Sequence, residues 1–111
     1  MPTLHRQGCV DVVTLDDRFS IENVDQALTP LNEALAAGIP QLVIDMRRVK
    51  FVDSAGLELL CKTHADCRRR GGELWVSAPS RLVRDVFGVT GLDARLQVAD
   101  DVLTAAGEFT K

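Results

Sequence analysis

Two hydrophobic rhythms divide the chain. Short runs rich in β-branched residues, bounded by glycine, proline or charge, recur at Val10 to Leu15, Gln41 to Asp45 and Glu73 to Ser77, and their length and composition predict strands. Between them the apolar residues return every three or four positions. Val24, Ala27, Leu28, Leu31, Ala34 and Leu35 form one stripe, and Leu57, Leu60, Cys61, His64 and Cys67 a second. Leu82, Val83, Val86 and Phe87 form a third. Each stripe predicts an amphipathic helix with one face buried on a sheet.

The punctuation between these runs completes the order. Thr3 to Gln7 reads as a short edge strand, turned back by Gly8 into a hairpin with the Val10 run. Asp16 to Ser20 reads as a polar loop around Phe19. Ser20 is placed as the N-cap of the first helix, with Glu22 in its positive first turn. Pro30 should kink that helix, and Gly38 and Pro40 end it. The second helix is expected from Ser54 to Arg70, closed by Gly71-Gly72. Ser80 caps a third helix that Gly88 and Gly91 break. Leu96 to Val98 reads as a last edge strand. Asp100-Asp101 then precede a short helix through Val102, Leu103 and Ala106. The order ββαβαβαβα predicts the α/β class, with a mostly parallel sheet that the N-terminal hairpin makes mixed. At 111 residues the whole of 1–111 reads as one domain.

Composition narrows the function classes. Hydrophobic residues are 46% and charged residues 26%, which is globular. A net charge of -3 argues against nucleic acid as a partner, and so does an aromatic content of 5% with no tyrosine. No signal peptide opens the sequence and no apolar run is long enough for membrane insertion, so a cytoplasmic protein is expected. Cys9, Cys61 and Cys67 fit neither a zinc site nor a redox pair and read as reduced thiols. Arg68, Arg69 and Arg70 suit the negative end of the second helix.

Familiar catalytic signatures are missing. There is no glycine-rich phosphate loop, no nucleophile elbow, and no second ligand spaced for metal beside His5 or His64. His64 lies on an apolar helix face and reads as a hydrogen-bonded core residue. No cofactor, no metal and no catalysis are expected. Asp53-Ser54 is the position that draws chemistry. One of the two should cap the second helix, and a serine at a helix N-terminus is also a place where a phosphate meets free N–H groups and the positive dipole end. Gly56, just inside the helix, either keeps that end uncluttered for a partner or serves the turn itself. Leu59 lies off the apolar stripe and is either an exposed contact or part of the core. Arg47, Arg48 and Lys50 read as a solvated loop, with steering of an acidic partner as the alternative.

Phe51-Val52-Asp53-Ser54-Ala55-Gly56-Leu57 after the Ile44-Asp45 strand resembles the STAS domain of bacterial anti-sigma factor antagonists. Gly71-Gly72-Glu73-Leu74 and Val86-Phe87-Gly88-Val89-Thr90-Gly91-Leu92 resemble two further segments of that family. The resemblance implies a non-enzymatic partner switch. The unphosphorylated protein would bind an anti-sigma factor, often a serine kinase of the histidine-kinase-like ATPase fold. That kinase would phosphorylate Ser54, and a serine phosphatase would reverse it. Asp53, Ser54, Ala55, Gly56, Leu57, Leu59 and Ser20 would form the partner-binding surface. Similar STAS domains also serve as subunits of lipid-transport ATPase complexes and of stress-sensing scaffolds. The chain departs from the family's Gly-x-Leu-Asp pattern, with Asp17 at the glycine and Ser20 at the aspartate.

Overall fold

The structure is a computed structural model that describes residues 1–36 and 38–109. Strands β1 (Thr3–Gln7) and β2 (Val10–Thr14) form an antiparallel hairpin around Gly8, whose φ of 64° suits a residue without a Cβ. A further strand, β3 (Arg18–Phe19), precedes helix α1 (Val24–Ala36). Then come β4 (Gln41–Asp45), β5 (Phe51–Val52), α2 (Ser54–Arg69), β6 (Glu73–Ser77), α3 (Arg81–Thr90), β7 (Gln97–Ala99) and α4 (Val102–Glu108). The main sheet has the order β1-β2-β4-β6-β7, parallel everywhere except at the hairpin.

Alternation along the strands gives the sheet two different faces. Val13, Ile44 and Val76 are register partners, and their face packs on Leu31, Leu60, Val83 and Phe87 from the three longer helices. Val12, Val43 and Trp75 face the other way. They meet Val102, Ala105 and Ala106 of the short α4.

Four local expectations change. β3 and β5 pair with each other in parallel as a separate two-stranded sheet where the sequence shows loops. Two residues are too few to display a period of two. Ser20 does not cap α1 with its side chain, since a turn at 21–23 intervenes. Its carbonyl accepts from Asn23 and Val24, and its hydroxyl donates to Asn23 Oδ1 at 3.3 Å. α3 runs through Gly88 to Thr90 and stops where Gly91 adopts φ 78°. Within a helix, glycine costs only about 1 kcal/mol relative to alanine. Leu82 is 57% exposed because Val83 and Phe87 hold the buried positions, and Leu28 is likewise exposed. α1 continues through Pro30 to Ala36.

Candidate functional site

The small β3–β5 sheet brings the loop after β2 to the start of α2. Arg18 lies opposite Phe51 and Phe19 opposite Val52. The joint is extended below by the carbonyl of Asp17, which accepts from Lys50 N at 2.7 Å and Phe51 N at 3.2 Å. Asp17 thus joins the two segments through its backbone carbonyl. Above the joint, Asp53 N donates to Phe19 O at 3.4 Å.

Asp53 is the cap of α2. Its Oδ1 accepts from Gly56 N at 3.1 Å, which satisfies one of the unpaired donors of the first turn. Its Oδ2 accepts from Ile21 N at 3.0 Å. One carboxylate therefore holds the helix start and the segment after β3 together. The Ile21 N–H above all, with smaller help from the Gly56 and Ala55 N–H groups, holds the Asp53 carboxyl below the usual carboxylate range.

With capping assigned to Asp53, Ser54 is left as the first helical residue. It is exposed, and its hydroxyl makes no hydrogen bond among the described residues. Gly56 is buried, and the physical reason is internal. A Cβ there would stand 2.0 Å from the carbonyl oxygen of Phe19. The close approach belongs to the chain's own β3, so Gly56 is a packing requirement of the joint.

The other expected surface residues divide. Asp53 and Ala55 are half-buried at the helix start beside Ser54. Leu57 and Leu59 are partly buried and pack against the main core. Ser20, by contrast, is 1% exposed. What the sequence reading passed over is the apolar surface around Ser54. Ile21 is 71% exposed and Phe51 44%, the latter with the Arg18 guanidinium 5.1 Å above its ring. Phe51 precedes the Asp-Ser pair in the chain, but Ile21 comes from thirty residues upstream and carries no local signal of its place beside Asp53. Within the basic loop Arg47 turns back to Asp45, through N–H to Oδ1 at 3.0 Å and Nε to Oδ2 at 3.6 Å. Arg47, Arg48 and Lys50 all line an open cleft of about 690 Å³ shared with Asp16, Asp17 and Glu22.

No group of three or more His, Cys, Asp or Glu that could hold a metal occurs among the described residues. His64 has its Nδ1 buried without a hydrogen-bond partner, which corrects its reading as a hydrogen-bonded core residue. Desolvation and the nearby Arg68 and Arg95 lower its pKa and favour the neutral ring. Among the described residues no helix is long and apolar enough to cross a membrane.

The model of the STAS domain matches residues 1–105. The chain belongs to the STAS domain family. BtrV of Bordetella bronchiseptica, which carries the name anti-sigma factor antagonist, is 29% identical to this STAS domain over 87 residues, covering 78% of this chain and 75% of BtrV. An anti-sigma-factor antagonist (STAS) domain protein from Planctomyces limnophilus superposes with a TM-score of 0.90 at 21% identity, covering 99% of this chain and 98% of that one. The Bacillus cell fate determinant SpoIIAA, solved in its phosphorylated form, superposes with a TM-score of 0.72 at 20% identity over the full length of both chains.

Proposed function

We propose that this STAS domain is an anti-sigma factor antagonist that works by partner switching. It binds an anti-sigma factor while the Ser54 hydroxyl is free and releases it when Ser54 is phosphorylated. The observation that carries this reading is the division of labour at the start of α2. Asp53 performs the capping, so Ser54 presents an exposed hydroxyl without a structural duty.

The chemistry follows from that placement. A kinase transfers the γ-phosphoryl group of ATP to Ser54 Oγ: the bond from γ-phosphorus to the bridging oxygen breaks, ADP leaves, and the hydroxyl proton passes to a base of the kinase. The phosphate then lies at the positive end of α2, where the dipole favours it. Its charge of about −2 sits next to Asp53 in the chain, at a helix start that also carries the exposed apolar residues Ile21 and Phe51. A partner that covers Ile21 and Phe51 must desolvate that charge, which makes the complex unfavourable. The fold itself is untouched, because no hydrogen bond of the helix start uses Ser54 Oγ.

The partner in this reading is an anti-sigma factor that is itself a serine kinase of the histidine-kinase-like ATPase fold, with a serine phosphatase closing the cycle in the cytoplasm. The test is pull-down of that anti-sigma factor by the wild type, Ser54→Ala and Ser54→Asp, together with mass spectrometry after incubation with kinase and ATP. Expected are retention by wild type and Ser54→Ala, loss by Ser54→Asp, and one added phosphate on the wild type alone. Far-ultraviolet circular dichroism should be the same before and after phosphorylation. Equal retention by all three proteins sinks the switch.

A further inference from the structure

The hairpin leaves one side of β1 without a partner strand, since β1 is the outermost strand of the sheet. Such an edge is a template for pairing with another chain. Its hydrogen-bonding pattern follows from the turn. Gln7 and Val10 are register partners on either side of the two-residue turn Gly8-Cys9. The pair that closes such a turn exchanges both hydrogen bonds, and the pattern alternates along an antiparallel ladder. The N–H and C=O groups of Thr3, His5 and Gln7 are therefore directed at β2. Those of Leu4 and Arg6 point outward, away from every described strand.

Beside this edge a groove of about 560 Å³ runs between β1 and α1. Leu4 and the buried Pro30 contribute apolar surface to it, and Asp25 and Glu33 line it from α1. Neither carboxylate takes part in an ion pair among the described residues. The groove is therefore acidic on the helix side and apolar on the strand side, and it lies next to outward-facing backbone groups. It fits a strand that delivers a cation next to Leu4.

We propose that the occupant is β1 of a second copy of this chain, paired antiparallel about a two-fold axis at His5. Only a register that sets one outward-facing residue against another makes hydrogen bonds. An axis at Arg6 opposes Arg6 to itself, with like charges directly across the ladder. An axis at Leu4 opposes Arg6 to Pro2, which has no N–H to donate. An axis at His5 opposes Leu4 to Arg6 in both directions and closes about four backbone hydrogen bonds.

Side-chain placement favours the same register. Leu4 packs against the core on the α1 face of the sheet, and Arg6, two residues on, shares that face. Each copy's Arg6 is thereby brought opposite the other's Leu4, beside Asp25 and Glu33. The two-fold axis makes the contact twice. Arg6 is available for it: its side chain is 62% exposed and, among the described residues, held only by a 3.6 Å ion pair with Asp11. The result is one continuous sheet through both copies.

Sedimentation equilibrium from micromolar concentration to about 1 mM tests the proposal. The wild type should pass from the 12.1 kDa chain to twice that mass as concentration rises. Arg6→Pro removes an outward N–H without touching a β1–β2 hydrogen bond, and should raise the dimer Kd about tenfold or more with unchanged circular dichroism. Arg6→Glu should weaken it as much, and Arg6→Glu combined with Asp25→Arg and Glu33→Arg should regain most of the loss. A mass of one chain at about 1 mM, or a dimer that either single variant leaves at full strength, overturns the proposal.

Discussion

At each end of α2 a glycine lies under a backbone carbonyl from another part of the chain. A Cβ on Gly56 would stand 2.0 Å from Phe19 O, and one on Gly72, just past the other end, 1.8 Å from Pro40 O. The packing device is the same, but the chemistry at the two ends is opposite. At the C-terminal end the chain closes its own hydrogen bonds. Arg70 N donates to Asp66 O and Cys67 O, Gly71 N to Arg68 O, and Gly72 N to Cys67 O at 2.8 Å. Arg70 Nη1 also ties this end to Leu35 O of α1 at 3.0 Å. At the N-terminal end one carboxylate does the joining, through Gly56 N and Ile21 N, and Ser54 is left exposed. One end of the helix anchors the fold. The other is held just firmly enough to display a hydroxyl at the positive pole.

The largest expected effects come from the two glycines. Gly72→Ala and Gly56→Ala should each lower stability by about 1–3 kcal/mol in urea denaturation, because a backbone carbonyl must move. They should differ in function. Gly72→Ala should leave the phosphorylation rate of Ser54 unchanged in the folded fraction, whereas Gly56→Ala displaces β3 and should slow it. If Gly72→Ala slows it equally, the two ends are not independent. Next in size is Arg70→Ala, which deletes a side-chain hydrogen bond at the closed end and should cost about 1 kcal/mol with no change in phosphorylation.

A pH titration probes the open end. The Asp53 carboxyl is held below its ordinary value of 3.8 by the Ile21 N–H first. A group depressed in the folded state contributes stability that is complete above the unfolded pKa and disappears as pH falls through the folded one. The clasp should therefore hold at neutral pH and weaken below about pH 4. Asp53→Asn should flatten that acid limb of stability against pH, and an unchanged limb would assign it to other carboxylates. The mildest probe perturbs nothing. Burial, with Asp66 adding to it, pushes the Cys67 thiol up to about 11, so at the closed end it stays protonated. Iodoacetamide at pH 8 should label the exposed Cys9 readily and Cys67 only on unfolding, as peptide mapping would show.

Much of this was legible in the chain, for reasons specific to each element. The three central strands carry apolar residues on both faces because parallel strands are buried on both sides, and their bounds were readable to within one residue. α2 was readable from its stripe and from Gly71-Gly72. Ser80 was readable as a cap, and it accepts from Val83 N at 3.2 Å. Ser20 was not, because the Ile21-to-Asn23 turn delays α1 and the Ser20 hydroxyl donates to Asn23 Oδ1 within that turn instead of accepting from the helix. Leu82 and Leu28 show the limit of a stripe: it gives a helical face, and the neighbouring elements decide how wide a part of that face is covered.

The sequence by itself determined the α/β order, the parallel sheet, and the presence of an Asp-Ser pair at a helix start. These are consequences of periodicity, turn chemistry and N-terminal capping, all of which act over a few residues. Only the tertiary structure decided which of the pair caps and which is free, why Gly56 must be a glycine, and which apolar residues stand around Ser54. Those answers depend on Phe19 and Ile21 meeting Gly56 and Asp53 across more than thirty residues of chain: the Ile21 N–H meets the Asp53 carboxylate, and the Phe19 carbonyl meets the backbone of Gly56. A contact between backbones leaves no mark in the side-chain pattern except the glycine that makes room for it.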